Sequence, residues 1–497
     1  MGLTRFCLLA ISLSLFGATL LHGDELSDLD HYIEKVRMEK QVPGIAVAIV
    51  KGDKVIFAKG YGIRKLGFEG NVDEDTIFQL ASVSKTFTAA GIGVQVDKGK
   101  LTWDEEVIRH LSPFALKEAY ASRYANARDL LSHRTGLPAF GGDLLGKLGY
   151  SSEEILYRVR FIEPATSFRN ISFYSNVGFF IAGELLAKLA EKPYQEAIKS
   201  TLLVPLKLER TGFADRLQDS NTAYSHAIIH DKVQVVPWDN IRGFDAAGGI
   251  TSTARDMGRW IAVHLNGGKV GESRILKADT VKEILSPSMV TEVSFTDLPP
   301  INDDSGLTYG LGWNNYHYKG KMIVEKGGAL DGVRTVVTLI PEEKLGIVVL
   351  ANLNLTVAPE AIRGKFLETY LGKSSQDLEK EMKAREEMIQ QLVSGPAKKG
   401  KQLPIGHSLD LYTGQYSNEL YGNFTVVNQD GKLSIDAGPA KWKGKLTSWS
   451  NDTFVITWPL INSGHEQLTF TFGPEGYATQ IYFENLGTFQ RVESNKD

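Results

Sequence analysis

The sequence predicts an α+β domain followed by a small all-β domain. Between residues 24 and 372, strand-like hairpins stand at both ends and helical patterns lie between them, which indicates an α+β layer. From residue 406 onward, short strands follow one another at regular spacing with turn signals between them, which is typical of a small β-barrel or sandwich. The chain has 497 residues, 42% hydrophobic and 23% charged, so it can bury large cores without a disulfide scaffold.

The first 23 residues have the pattern of a secretory signal peptide. Arg5 precedes residues 6–21, which carry no charge and fall short of the roughly 20 apolar residues that a transmembrane helix needs. We predict cleavage near Gly23 and export to the periplasm or the medium; the alternative is an uncleaved N-terminal anchor. No later apolar run is long enough to span a bilayer. Cys7, the only cysteine, would leave with this segment, so the mature chain would have no disulfide.

Two hairpins delimit the first domain, predicted over residues 24–372. Residues 45–50 form an apolar strand, and residues 55–62 read as its return strand after a glycine-containing turn. Residues 334–340 and 344–351 form a second hairpin around Pro341. We expect the two hairpins to share one sheet.

The chain changes character after residue 372. Residues 373–405 are dense in Glu and Lys and then rich in Gly, Pro and Lys, which predicts a solvated helix and a flexible linker. Residues 406–497 form the predicted small β-domain. Its strands are expected at residues 424–427, 432–435, 453–458, 467–472 and 480–482.

Ser82 and Lys85 are the first candidate site residues, because they stand three apart at the start of a helical pattern that runs to Lys98. A helix N-terminus favours a serine alkoxide, and a desolvated lysine can accept a proton. Ser-x-x-Lys therefore carries the chemistry of nucleophilic attack. The alternative for this pair alone is an N-cap serine followed by an exposed lysine.

Tyr174 and Asn176 place a phenol and an amide together at the entrance of a second apolar helix, residues 179–189. A phenol beside a lysine can relay a proton, and an amide can orient the lysine and a substrate carbonyl. The third element, Lys326-Gly327-Gly328-Ala329, precedes a strand. Its glycines permit close approach of a backbone, and its main-chain N–H groups can serve an oxyanion hole. The alternatives are a buried tyrosine with an asparagine cap, and a glycine turn.

Together these three elements resemble the serine β-lactamase and penicillin-binding-protein superfamily, in particular its class C, carboxypeptidase and esterase branch. Residues 127–137, 247–257 and 309–313 are similar to further elements of that family, and residues 411–416 and 449–454 resemble the lipocalin-like β-domain that follows such hydrolases. The resemblance implies an antiparallel sheet flanked by helices and an all-helical region, then a small barrel-like domain.

The resemblance also implies a mechanism for these residues. Ser82 would be the acylated nucleophile, Lys85 its general base or proton relay, and Tyr174 the second acid/base. Asn176 would hold the substrate amide, and the backbone N–H groups of Ser82 and Ala329 would form the oxyanion hole. No cofactor is implied.

Lys326 and Gly328 match the family's Lys/His-Thr/Ser-Gly triplet and are expected, with Ala329, to bind substrate. Gly327 departs from the triplet, because it lacks the hydroxyl that helps β-lactamases bind a substrate carboxylate. We therefore expect a serine hydrolase that acts through an acyl-enzyme on D-amino-acid peptides, as a carboxypeptidase or aminopeptidase does, or on small esters. The alternatives are a class C-type β-lactamase and a penicillin-binding or sensor module without turnover.

Other functional classes find less support. The sequence lacks the Gly-x-Ser-x-Gly elbow of a Ser-His-Asp hydrolase, and the resemblance makes His133 a structural residue. His226 and His230 have the spacing of a helical metal-ligand pair, but strand-like sequence flanks them, so we expect no metal. With 55 Lys and Arg against 59 Asp and Glu, the chain lacks the basic excess of a nucleic-acid-binding protein. We expect a small-molecule or peptide substrate as the partner, and the sequence carries no signal for the oligomeric state.

Overall fold

A computed structural model describes residues 23–112, 114–291, 306–373, 377–394, 403–459 and 466–492 of the chain. It confirms the α+β class: helices flank an eight-stranded antiparallel sheet, and a closed eight-stranded barrel follows. The predicted signal segment lies outside the described residues except for Gly23, so its interpretation stays a prediction.

Helices occur mainly in the first domain, and none of those described combines the length and apolar character needed to cross a membrane. In chain order they are α1 (Gly23–Glu39), α2 (Ser84–Asp97), α3 (Ala119–Tyr124), α4 (Ala127–Leu131), α5 (Leu144–Lys147), α6 (Ser152–Arg158), α7 (Asn176–Ala190), α8 (Tyr194–Ile198), α9 (Asp245–Gly248), α10 (Ala254–Leu265), α11 (Ala278–Leu285), α12 (Ala358–Leu371) and α13 (Leu378–Ser394).

Strands of the first domain form the large sheet and three small two-stranded sheets. In chain order they are β1 (Gly44–Lys51), β2 (Lys54–Gly62), β3 (Phe78–Gln79), β4 (His226–Ile229), β5 (Lys232–Val235), β6 (Thr251–Ser252), β7 (Lys269–Val270), β8 (Ser273–Arg274), β9 (Met289–Val290), β10 (Thr308–Tyr309), β11 (Asn314–Tyr318), β12 (Lys321–Leu330), β13 (Val333–Ile340) and β14 (Leu345–Ala351).

The large sheet has the order β2-β1-β14-β13-β12-β11-β10-β9, and β1 pairs with β14 so that Ile45 lies opposite Ala351. The two predicted hairpins therefore share one sheet, which joins the two ends of the domain. Helices cover both faces, which explains why β1 is apolar at consecutive positions. Its even-numbered residues 46–50 join the core of α2, α7 and α10, and its odd-numbered residues 45–49 pack with α1 and α12.

The C-terminal domain is an up-and-down barrel, closed where β15 pairs with β22. Its strands are β15 (Gly414–Asn418), β16 (Gly422–Gln429), β17 (Lys432–Ala437), β18 (Trp442–Ser450), β19 (Thr453–Thr457), β20 (Glu466–Phe472), β21 (Ala478–Phe483) and β22 (Gly487–Arg491). Inward-pointing side chains alternate with outward ones along these strands. Large aromatic side chains fill the interior: Tyr416, Phe424, Phe454, Phe470, Phe483 and Phe489.

The barrel docks directly on α5 and α6 of the first domain. The Tyr150 hydroxyl donates to the Tyr421 carbonyl oxygen at 3.0 Å, and the Ala440 amide donates to the Leu148 carbonyl oxygen at 2.9 Å. Gly422 permits this approach, because a Cβ there would lie 1.9 Å from the Tyr150 hydroxyl. The two domains thus meet at the short segment between α5 and α6.

The charged segment after residue 372 differs from its prediction. It contains α13, but this helix is not solvated all round: Met382 and Ile389 are buried and join the core beneath α12. These residues are seven apart, which places them on one face two turns from each other. The sequence of this segment has so few apolar residues that the buried face of α13 could not be predicted from it. Residues 395–402 of the predicted linker lie outside the described residues.

Buried ion pairs lie behind β12, between the sheet and α12. Arg363 of α12 donates to Glu325 of β12 at 2.9 Å, and the same carboxylate accepts from the hydroxyls of Tyr316 and Thr338. Both charged side chains are almost fully buried. This network ties the strand that carries Lys326 to the helix behind it.

We predict that Arg363→Met destabilises the fold by roughly 3 to 5 kcal/mol, because it leaves a buried Glu325 charge without its partner. Urea denaturation followed by circular dichroism measures the effect. The matched control is Lys35→Met, which breaks an ion pair with Glu39 in which both side chains are about half exposed; it should barely shift the midpoint. Equal effects of the two changes would contradict the structural role of Arg363.

Candidate active site

Ser82 lies on a tight turn immediately before α2. Residues Ala81–Val83 form one turn of 3-10 helix, and Ala81 has a φ of +52°, which is strained for a residue with a side chain. This turn presents Ser82 to a cavity. Ser84, a second serine beside this turn, is buried, and its hydroxyl accepts from the Ile250 amide at 3.0 Å.

Lys85 comes one helical turn after Ser82, and its side chain is fully buried. Its ammonium nitrogen lies 3.2 Å from Ser82 Oγ, 2.7 Å from Asn176 Oδ1 and 2.8 Å from the Ala247 carbonyl oxygen. Ser82 and Lys85 therefore lie on the same side of the helix start, as their spacing predicts. Burial removes water from the lysine, and a desolvated lysine gives up a proton more readily than an exposed one.

Tyr174 reaches the same hydroxyl from the other side. Its phenol donates to Ser82 Oγ at 2.6 Å. Tyr174 lies just before α7, whose N-cap residue Ser175 accepts from the Gly178 amide. The Lys326 ammonium lies 4.8 Å from the centre of the Tyr174 ring, a cation–π distance. The structure thus brings Lys85 and Tyr174 together on Ser82, as the sequence predicts.

Asn176, the first residue of α7, bridges Lys85 to a residue that the sequence analysis missed. Its Nδ2 donates to Asp143 Oδ2 at 2.6 Å, while its Oδ1 accepts from Lys85. Burial raises the Asp143 pKa to about 7, against the opposing effects of the Asn176 hydrogen bond and of the Lys85 and Lys147 charges. Asp143 follows two glycines in a loop, and no local pattern marks such an aspartate as part of a site.

Lys326, Gly328 and Ala329 lie on β12 beside the nucleophile turn. A Cβ at Gly328 would stand 2.4 Å from the Leu80 carbonyl oxygen and 2.4 Å from the Thr335 hydroxyl. Gly328 therefore allows close approach of the chain's own backbone before Ser82, and its contact with substrate stays a prediction. Side-chain alternation directs Lys326 and Gly328 toward the nucleophile turn and position 327 toward α12.

A cavity of about 380 Å³ opens in front of this cluster, and its wall includes Ser82, Tyr174, Asn176 and Ala329. Lys85 and Lys326 are fully buried. An adjoining cavity of about 360 Å³ shares Lys147, Asp239, Arg242 and Asp331 with the first and reaches Trp442 of the barrel. The candidate site is therefore the inner end of a longer cleft between the two domains.

The comparison with protein families identifies the first domain. The beta-lactamase family model matches residues 29–370, well over half of the chain. The chain belongs to the beta-lactamase family. A second model, described as a domain of unknown function (DUF3471), matches residues 398–494, which cover the barrel. The resemblance stated from the motifs is thus confirmed, and the protein is a beta-lactamase-family serine hydrolase.

Relatives and solved structures agree with this assignment. An unguisins hydrolase of Aspergillus campestris is 28% identical over 92% of this chain and 89% of its own length. Protein flp of Staphylococcus aureus is 26% identical over 69% of this chain and 66% of its own. The octameric penicillin-binding protein homologue from Pyrococcus abyssi has the same fold, with a TM-score of 0.62, 22% identity, and coverage of 94% of this chain and 100% of that chain.

His133 lies behind this beta-lactamase-family site rather than on the nucleophile. Its ring packs 4.8 Å from the Tyr174 ring, and Nδ1 accepts from the Ser175 amide at 3.1 Å. Burial lowers the His133 pKa well below its ordinary value, and the Lys326 and Lys85 charges lower it further. A neutral, buried ring fits the structural role predicted for His133.

The spacing of His226 and His230 does not place them on a helix. His226 begins β4, and its Nε2 accepts from the Leu66 amide at 3.0 Å while Nδ1 contacts the Asn352 carbonyl oxygen at 3.0 Å. His230 lies in the turn after that strand with a φ of +50°. Among the described residues, no group of three or more His, Cys, Asp or Glu side chains could hold a metal ion.

We predict that Gly328→Ala lowers kcat at least about 10-fold and also lowers Tm, because the added Cβ forces Leu80 and the Ser82 turn away from β12. Gly306→Ala is the control, since a Cβ there meets nothing within 4 Å. Steady-state kinetics and thermal denaturation measure both variants. Wild-type kcat in Gly328→Ala would show that the turn does not depend on this close approach.

Proposed function

We propose that this protein cleaves amide or ester bonds through an acyl-enzyme on Ser82, with D-amino-acid-containing peptides as its main substrates. One observation carries the proposal: Ser82 Oγ lies within hydrogen-bond distance of both a buried lysine and a phenol, at 3.2 Å from Lys85 and 2.6 Å from Tyr174. That arrangement supplies a nucleophile, a base and a second acid/base in one place.

Acylation follows from these contacts. Ser82 Oγ attacks the substrate carbonyl carbon and transfers its proton to Lys85, which accepts it as the unprotonated amine. The backbone N–H groups of Ser82 and Ala329 stabilise the negative charge that develops on the carbonyl oxygen. Tyr174 protonates the leaving amine or alcohol as its bond to the carbonyl carbon breaks, and a proton from Lys85 restores the phenol.

Deacylation uses the same groups in reverse. A water molecule attacks the carbonyl carbon of the Ser82 ester and gives one proton to Tyr174, while the phenol passes its own proton to the unprotonated Lys85. The tetrahedral intermediate then collapses, the carboxylic acid leaves, and Ser82 Oγ regains its proton. Asn176 keeps the substrate amide in register during both steps.

Peptides are favoured over small esters by the shape of the cleft. The cavity at Ser82 adjoins the second cavity that reaches Trp442 on the barrel, so the cleft has room for more than one residue. A relative bears the name unguisins hydrolase, and a neighbour of the same fold, with a TM-score of 0.55, is described as SurE with D-Leu. The first description names a hydrolase and the second a D-amino acid, and together they support a hydrolysed substrate that contains a D-amino acid.

A class C-type β-lactamase is the second candidate, because Lys326 offers a positive charge to a substrate carboxylate. The missing hydroxyl at Gly327 does not decide between the two candidates, because a side chain at that position would face α12 rather than the nucleophile turn. We further propose that the protein works outside the cytoplasm, on the basis of residues 1–23.

We predict that a fluorophosphonate probe labels the wild-type protein and that Ser82→Ala abolishes both labelling and turnover with little change in Tm. The reason is that no other group can then form the covalent acyl-enzyme. Ser84→Ala is the matched control and should keep its label. In-gel fluorescence and mass spectrometry of the labelled peptide locate the modified residue. Labelling that persists in Ser82→Ala would refute the nucleophile assignment.

A substrate panel tests the substrate class. We expect D-alanine-containing peptides to give a higher kcat/KM than p-nitrophenyl acetate or nitrocefin, because the cleft is long enough to contact more than one residue of a peptide. Product release is followed by absorbance or by chromatography of the peptide. Nitrocefin as the best substrate of the panel would move the assignment to a true β-lactamase.

A further inference from the structure

Asp143 lines the active-site cavity with Ser82, yet the steps above give it no part. It lies in the loop just before α5, which is not one of the elements that carry the catalytic motifs. Its contact is with Asn176, whose Nδ2 donates to the Asp143 carboxyl group at 2.6 Å. Asn176 in turn contacts Lys85 at 2.7 Å. A chain of short hydrogen bonds therefore runs from Asp143 to the proposed base.

These contacts determine which way the Asn176 amide faces. A lysine ammonium has only donors, so the amide oxygen must face Lys85. A carboxyl oxygen accepts, so the amide nitrogen must face Asp143. Without Asp143, the amide could turn and would meet Lys85 with its N–H groups. One N–H of Asn176 is used by Asp143, and the other can donate to a substrate carbonyl.

We propose that Asp143 is a positioning residue, which holds the Asn176 carboxamide so that it orients Lys85 and the substrate. The inference rests on the proposed function, because it assigns a task at the same nucleophile. It also gives a task to an aspartate that stands in a cavity where burial penalises its charge.

Charged and titratable groups face Asp143 from three sides: Lys85 on α2, Lys147 on α5 and the Tyr421 phenol from the barrel. Lys147 also pairs with Asp239 at 2.8 Å. Because burial raises the Asp143 pKa to about 7, the carboxyl group ionises near neutral pH. Its negative charge then favours the ammonium form of Lys85 and raises the pH at which this lysine becomes free to accept the Ser82 proton.

The barrel supports the Asp143 loop. The Tyr421 phenol is buried, and burial raises its pKa to about 12. A hydrogen bond with the Gly142 backbone acts in the opposite direction and lowers this pKa. Tyr421 lies beside the hydrogen bond through which Tyr150 holds the barrel. The docked barrel thus packs against the residue that precedes Asp143, and positioning of Asn176 depends on both domains.

The test uses the full chain and the rate of fluorophosphonate labelling, which reports on Ser82 without requiring the natural substrate. We expect Asp143→Ala to lower the second-order labelling rate roughly 10- to 100-fold, because the amide loses the acceptor that orients it. Asp143→Asn keeps an acceptor oxygen of the same shape and should stay within about threefold of wild type at its optimal pH.

The pH profile separates positioning from a merely structural effect. Labelling rises with pH as Lys85 becomes able to accept a proton. In Asp143→Asn the negative charge is gone, the Lys85 ammonium is less favoured, and the midpoint of this rise should move to lower pH by roughly 0.5 to 1 unit. Asp256→Asn is the control: it also removes a buried carboxyl group, but on α10, and should leave the midpoint in place.

A double-mutant cycle tests whether Asp143 acts through Asn176. In the Asn176→Ala background, Asp143→Ala should cause little further loss of labelling rate.

The inference is overturned if Asp143→Ala labels within twofold of wild type, if its effect is undiminished in the Asn176→Ala background, or if the Asp143→Asn midpoint is unchanged. If Asp143→Ala does not fold, the pH midpoint of labelling in Asp143→Asn decides whether the inference stands. Wild-type protein that fails to label at Ser82 would instead overturn the proposed function, and this inference with it.

Discussion

The buried ammonium of Lys85 is the interaction around which the site is arranged. Its named acceptors come from three separate elements: Ser82 on the 3-10 turn, Asn176 at the start of α7 and the Ala247 carbonyl oxygen in α9. A buried polar group without partners costs several kcal/mol, so these elements must meet for the lysine to be accommodated. Catalytic geometry and folding of the helical region are therefore coupled through one side chain.

Close backbone approach is the second constraint, and it fixes the turn against the sheet. Gly328 leaves room for the Leu80 carbonyl oxygen, and the Thr335 hydroxyl donates to that same oxygen at 2.9 Å. Behind the sheet, the Arg363–Glu325 pair holds β12 from its other face. The strand is thus held on both sides, which gives Lys326 and Ala329 defined positions relative to Ser82.

The barrel belongs to the same arrangement rather than being a separate appendage. It packs on α5 and α6 through Tyr150 and Leu148, and its own core is filled with aromatic side chains. Trp442 extends the wall of the cleft, and Tyr421 reaches the loop before Asp143. A domain placed there can influence which substrates enter as well as how the loop is held.

Sequence alone determined the features that rest on local patterns. Alternation and apolar runs gave the two hairpins of the large sheet and the regular strands of the barrel, because strand periodicity is visible within a few residues. The spacing of Ser82 and Lys85 predicted a shared face, and the motif order around Tyr174 and Lys326 identified the family. Each of these signals is short in range, so a single chain suffices to find it.

Tertiary structure decided what depends on contacts between distant segments. Asp143 lies 33 residues before Asn176 in the chain, and only folding places its carboxyl group 2.6 Å from the amide. The buried face of α13 and the docking of the barrel on α5 likewise rest on few residues, Met382 and Gly422 among them, whose surroundings no local pattern records. Whether a glycine meets substrate or the chain's own backbone, as at Gly328, depends on packing, because packing alone determines what occupies the space beside it.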